Sequence, residues 1–196
     1  MRMQYQHIIH NRIKLNNLSN LHRRAANHMV SSTQAKINGG IGPANAPLTV
    51  AVKRNSKTLR DSGALMASIA RSFSPYEASV GTNKSYAKIH QFGGTIKAKR
   101  SWLFIPAVST TRTLQRRYDF KAGPLIKKMR AAGYSVWFQV KGSKGVVLAR
   151  EGKRKPFVLF ILKKEVRIPA RPFLTITQRD RDIIRSIART EIGVSR

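Results

Sequence analysis

The sequence predicts an α+β domain: a central antiparallel sheet of hairpins, with a long N-terminal helix before it and a C-terminal amphipathic helix after it. Three observations lead there. Apolar residues recur at helical intervals through 4–37, short β-branched and aromatic runs parted by Gly- and Lys-rich turns fill 95–168, and a capped apolar stripe ends the chain. With 196 residues, 41% of them hydrophobic, the chain suffices for one core, and no linker long enough to separate two domains interrupts it.

In the first segment Ile9, Ile13, Leu18, Leu21, Ala25, Met29 and Ile37 fall at spacings of three to five over most of its length, with Arg12, Lys14, Arg23 and Arg24 on the other face. The run Asn38-Gly39-Gly40-Ile41-Gly42-Pro43 stops that helix, and 38–57 reads as a polar, turn-rich loop. A second, short helix is expected at 64–70, with Leu65 and Ile69 on one face. A hairpin turning at Pro75 is expected over 72–81. Tyr86, Ile89 and Phe92, three apart and followed by Gly93-Gly94, predict one or two helical turns docked by three apolar residues and closed by a glycine stop.

Strands are predicted at 101–105, 134–140, 145–150 and 157–162, with turns at 141–144 and 151–156. Between the first two strands, Pro124 and Gly133 bracket a short basic helix. The last helix is the clearest, because Thr177 is placed to cap and Asp180 follows in a capping-box-like position. Ile183, Ile184, Ile187, Ala188 and Ile192 line its apolar stripe.

Charge narrows the function. The chain carries 38 Lys and Arg against 8 Asp and Glu, a net charge of +30. Such an excess opposes compaction and attracts polyanions, so a nucleic acid or an acidic partner is expected. Residues 1–60 hold ten bases and no acid, and 97–171 hold twenty bases against Asp119, Glu151 and Glu165. The lack of Cys excludes disulfides and thiolate chemistry. The start lacks an apolar signal core and no membrane-length apolar run occurs, so neither secretion by signal peptide nor membrane spanning is expected.

Catalytic constellations are thin. His7 and His10 have metal-ligand spacing on a predicted helix, but the first acid in the chain is Asp61; His22 and His28 read as surface residues in the same way. Asp180 and Asp182, two apart on a helix, point to different faces and do not form a nuclease pair. No Gly-x-Ser-x-Gly elbow and no phosphate-cradling Gly-Lys-Ser/Thr loop occurs. Neither a Cys/His finger nor a basic zipper is present, so sequence-specific readout is not expected, although contact with a duplex backbone stays open. Trp102, Trp137 and Phe138 read first as strand residues of the core and only second as stacking platforms.

Three stretches carry a resemblance. They are Leu59-Arg60-Asp61-Ser62-Gly63-Ala64-Leu65-Met66-Ala67-Ser68-Ile69; Val80-Gly81-Thr82-Asn83 with Tyr86-Ala87-Lys88-Ile89-His90-Gln91-Phe92-Gly93-Gly94; and Ile168-Pro169-Ala170-Arg171-Pro172-Phe173-Leu174 followed by Asp180-Arg181-Asp182-Ile183-Ile184. In this order they resemble the tailed-bacteriophage virion morphogenesis, or tail completion, family over about residues 59–192, while 1–58 fits only in type. On that resemblance the single domain divides into an N-terminal helix and loop arm (1–58), a family core (59–106 and 156–193) and a basic excursion (107–155).

The resemblance implies a non-enzymatic part of the virion, without cofactor or metal, assembled in the host cytoplasm. It would act at the neck or the head-proximal tail end in a sixfold ring around the DNA channel. Its partners would be its own copies, the tail terminator, tail tube or connector, and duplex DNA without sequence specificity. A freestanding, sequence-independent DNA-binding protein of packaging or nucleoid type is the alternative. The implied motif core or interface is Tyr86, Ile89, His90, Gln91, Phe92, Gly93, Gly94, Pro169, Arg171, Pro172 and Phe173. Tyr86, Ile89 and Phe92 are expected to pack, Pro169, Pro172 and Phe173 to hold the crossing into the last helix, and His90, Gln91 and Arg171 to cap backbone groups or bridge subunits. Lys127, Lys128, Arg130, Lys141, Lys144, Lys153, Arg154 and Lys155 are the expected contacts to DNA or an acidic partner.

Overall fold

Hydrophobic alternation through the centre of the chain builds the largest layer. In the computed structural model, which describes residues 15–53 and 55–192, strands β4 (Leu103–Pro106), β5 (Tyr134–Lys141), β6 (Lys144–Glu151) and β7 (Phe157–Lys163) form an antiparallel sheet in the order β4-β7-β6-β5. Alternate residues of β6 and β7, among them Val147, Ala149, Phe160 and Leu162, turn to one face and are almost fully buried. That face is covered by α5 (Ser109–Arg117) through Leu114 and by α6 (Ala122–Ala131) through Leu125, Ile126 and Met129. The β6–β7 register shifts between Val147 and Leu148, leaving Leu159 unpaired. Its carbonyl accepts instead from the Thr111 hydroxyl at 2.8 Å and the Ala107 N–H at 3.2 Å, which ties α5 to the sheet.

A second apolar cluster holds the two ends of the chain together. Ile37 of α1 (Leu15–Gly39), Leu65 of α3 (Ala64–Ala67), Ile69, Ala87 of α4 (Ala87–Phe92) and Phe173 meet there. The hairpin β1 (Ala70–Phe73)–β2 (Ala78–Gly81) lies against α1, as does α7 (Gln178–Ile192). Full burial of Phe173 contributes about 1.5–3 kcal/mol to this junction.

A two-stranded ribbon links the two clusters: β3 (Gly94–Lys97) pairs antiparallel with β8 (Glu165–Ile168), from Gly94 opposite Ile168 to Lys97 opposite Glu165. Residues 98–164 leave and re-enter through this ribbon, so β4 and β7 share one sheet with β5 and β6.

The predicted α+β class, the N- and C-terminal helices and the hairpin sheet are all present. The helix expected from residue 4 is described from Leu15, and the expectation for 4–14, with Ile9 and Ile13, lies outside the described residues. The loop expected over 38–57 contains a helix, α2 (Pro47–Lys53), started by a proline whose missing N–H is no loss in a first turn. The helix expected at 64–70 is four residues long, and 70 already begins β1.

Candidate functional site

The two motif stretches expected to form the core or an interface meet where α4 faces the segment after β8. Ala87 and Gln91, one helical turn apart, share the inward stripe of α4. Gln91 Oε1 accepts from the Phe173 and Leu174 backbone N–H groups, both at 2.9 Å, and its Nε2 donates to the Leu174 carbonyl at 3.0 Å. Arg171, only 6% exposed, donates from Nε to the Pro43 carbonyl at 2.8 Å and from Nη2 to the Ala44 carbonyl at 3.0 Å. Its backbone N–H donates to the His90 carbonyl at 2.7 Å. Both Gln91 and Arg171 thus satisfy backbone groups of their own chain.

The packing expected of the aromatic motif residues is corrected. Tyr86 is 43% and Phe92 72% exposed, while Ile89 is half-buried. A spacing of three drifts by about 60° per step on a helix of 3.6 residues per turn, so Phe92 has rotated away from the stripe that holds Ala87 and Gln91. Pro169 and Pro172 are also exposed, and of the three residues expected to hold the crossing Phe173 alone is buried. Gly93 and Gly94 do end α4. Gly93 has φ 72° and ψ −177°, and a Cβ placed on it would lie 2.8 Å from the Ala170 nitrogen.

Beside this junction lies a cleft of about 380 Å³ lined by Lys53 of α2, Arg60, Asp61, His90, Arg112 of α5 and Arg171. Arg112 Nη1 and Asp61 Oδ2 form an ion pair at 2.5 Å, and Arg60 Nη1 donates to Asn38 Oδ1, also at 2.5 Å. Burial holds the Lys53 ammonium below its usual range; Asp61 opposes this, and Arg112 and Arg171 add to it. Burial, then Arg171 and Lys53, likewise push the His90 imidazole below its usual value, and its buried Nδ1 has no hydrogen-bond partner among the described residues. Leu59, in the wall of the cleft, adopts φ 58°, a left-handed conformation that costs a side-chain-bearing residue roughly 1–2 kcal/mol. Sequence reasoning reached His90 and Arg171 through their motifs. Lys53 and Arg112, which come from two helices it did not predict, it missed.

The eight bases expected to meet DNA or an acidic partner do not form one patch. Lys127 is exposed on α6, whereas Lys128 pairs with Asp119 at 3.3 Å and Arg130 donates to the Val136 carbonyl at 2.7 Å. Lys141 and Lys144 stand opposite each other at the β5–β6 turn, and Lys144 is also opposite Lys163. Lys153, Arg154 and Lys155 occupy the β6–β7 turn, with Arg154 paired to Glu151 at 2.6 Å. These turns lie at opposite ends of β6, roughly 25 Å apart for eight residues at ~3.4 Å each.

The other candidate groups are placed as follows. His7 and His10 lie outside the described residues. Asp180 is buried in contact with α1, while exposed Asp182 pairs with Arg185 at 2.9 Å. Among the described residues no group of three or more His, Asp or Glu is arranged to hold a metal ion. Trp102 packs against the sheet core with Lys164 Nζ 4.0 Å from its ring centroid, whereas Trp137 and Phe138 are 38% and 48% exposed.

Comparison with known proteins assigns this arrangement to a family. Residues 4–118, more than half of the chain, match the profile of the phage virion morphogenesis family. The chain belongs to that family. The match reaches back through α1, further than the resemblance of the motifs alone, and includes Lys53, Arg60, Asp61, His90 and Arg112 of the cleft; the C-terminal motif lies beyond it. The Mu-like prophage FluMu G protein 2 of Haemophilus influenzae is 42% identical over 74 residues, 38% of this chain and 51% of that protein. The chain thus matches about half the length of this relative. No solved structure matches. Membership of this family gives the chain a part in virion morphogenesis.

Proposed function

We propose that this phage virion morphogenesis protein is a non-enzymatic subunit of the neck or tail-completion ring, joining the tail to the head around the DNA channel. Membership of the family is the observation that carries the proposal. The architecture is compatible with it. A ring needs a rigid body and parts that reach neighbouring copies, and repeated heterologous contacts close such a ring. Here the rigid body is the cluster around Phe173 with α1 packed into it, and the reaching part is the lobe 98–164 carried on the β3–β8 ribbon.

Charge adds a constraint. Sixfold closure of subunits that each carry +30 is opposed by their mutual repulsion unless a polyanion passes through the ring or acidic neighbours flank it. Duplex DNA in the channel, or the tail terminator, tail tube or connector, would supply that counter-charge after assembly in the host cytoplasm. The separation of the predicted bases onto distant turns disfavours a freestanding DNA-binding protein, whose contacts would follow one phosphate track.

Electron microscopy of particles made without this protein tests the proposal. Filled heads and finished tails are expected to accumulate apart, and the protein supplied in trans is expected to restore joining. Joined, infectious particles at normal yield in its absence would overturn it.

A further inference from the structure

We propose that the cleft formed by Lys53, Arg60, Arg112 and Arg171 is a carboxylate site that receives an Asp or Glu side chain from an acidic segment of a partner polypeptide. Among the described residues four cations line it against one acid, and that acid, Asp61, is already paired with Arg112. Each guanidinium carries five N–H donors. Among the described residues Arg112 uses one of its own on Asp61, Arg60 uses one on Asn38, Arg171 uses two on backbone carbonyls, and the Lys53 ammonium uses one of its three on the Lys57 carbonyl at 2.9 Å. Donors therefore converge on a concave space with few acceptors, and an incoming carboxylate supplies both the missing acceptors and the missing negative charge. The burial that depresses the Lys53 ammonium means that a bound anion meets partly desolvated cations, where attraction is stronger than at an open surface.

The shape favours a polypeptide over a nucleic acid. Duplex DNA carries its phosphates along the outside of a rod and is held by an extended track of bases, whereas these cations face inward on a cleft of about 380 Å³. Leu59, Ala64 and Tyr86 give the same cleft an apolar wall, suited to the methylene stem of an acidic side chain. Leu59 is held there in its left-handed conformation, and such strain persists where the surroundings fix the backbone. The site extends the neck proposal without depending on it, since the cleft takes a carboxylate whichever virion protein carries it.

The test uses the full chain and a fluorescent, end-capped tetraglutamate peptide, with binding read by anisotropy and by the His90 ring resonances. Lys53→Gln and Arg112→Gln, each first shown to melt as the parent does, are expected to weaken binding at least about tenfold, the loss typical of a desolvated charge contact. Lys141→Gln combined with Lys144→Gln, on the distant β5–β6 turn, is expected to leave binding within about twofold, as for a remote charge. The two variant sets weakening binding equally would reduce the effect to diffuse attraction by net charge and overturn the site. So would absence of any His90 shift. Displacement of the peptide by inorganic phosphate or by a duplex oligonucleotide at equal charge concentration would overturn the choice of carboxylate. Particles that fail to join while the peptide still binds, or the converse, separate this proposal from the neck assignment.

Discussion

Gly93→Ala is expected to lower the melting temperature by roughly 6–12 °C, from a loss of about 3 kcal/mol at 2–4 °C per kcal/mol for a chain of this size. Two causes act together. With φ 72° and ψ −177°, Gly93 occupies backbone space that a side chain makes unfavourable by about 1–3 kcal/mol. A Cβ there would also lie 2.8 Å from the Ala170 nitrogen and 3.1 Å from the Ile168 oxygen. Both are backbone atoms, so neither can turn aside as a flexible side chain would. Relief requires moving the end of β8 away from α4, which opens the ribbon carrying 98–164 and disturbs the Arg171 N–H bond to the His90 carbonyl. A thermal melt shifted by less than about 2 °C would mean that the close approach costs little.

Asp180→Ala is expected to cost about 3–5 kcal/mol, the range for removing one partner of a buried ion pair. Asp180 is 2% exposed, and its carboxylate joins the two terminal helices: Oδ1 meets His28 Nε2 at 3.0 Å and Oδ2 meets Lys36 Nζ at 3.1 Å. Oδ2 also accepts from the Thr177 hydroxyl and N–H at 2.7 and 2.8 Å, and Thr177 Oγ1 accepts from the Asp180 N–H at 3.2 Å, a reciprocal cap at the start of α7. Burial by itself would raise the Asp180 pKa. Hydrogen bonds from Ser32, Thr177 and Lys36 outweigh it and hold the carboxyl far below the usual carboxylate range.

The sign of the pH effect follows. A depressed folded-state pKa gives stability that is present above the unfolded value of about 4 and is lost as the pH falls below it toward the folded value. Denaturant melts of parent and Asp180→Asn are therefore expected to differ most near neutral pH and to converge in acid. A gap that stays constant down to pH 2 would contradict this role for the ionised carboxylate.

The Thr177–Asp180 cap was legible because both partners lie within four residues and the apolar stripe begins at once after them. The link from Asp180 to His28 and Lys36 was not, since it joins residues about 150 apart and leaves no local pattern. The β5–β6–β7 sheet was legible from alternation and turn chemistry, whereas β3 and β8 are four-residue strands that pair across the whole lobe. Helix α5 was missed because one of its two buried residues is Thr111, which reads as polar until its hydroxyl finds the Leu159 carbonyl. The same distance effect hid the cleft: His90 and Arg171 stood in motifs, but only the fold brings Lys53 and Arg112 beside them.

The place proposed for this fold is measured most directly by an image of the assembled virion at the head–tail joint, averaged to a resolution that distinguishes the long helix and the four-stranded sheet. A closed ring of this fold around the DNA channel, between head and tail, is the predicted result. Density for this fold along the tail tube, or none at the joint, would contradict it.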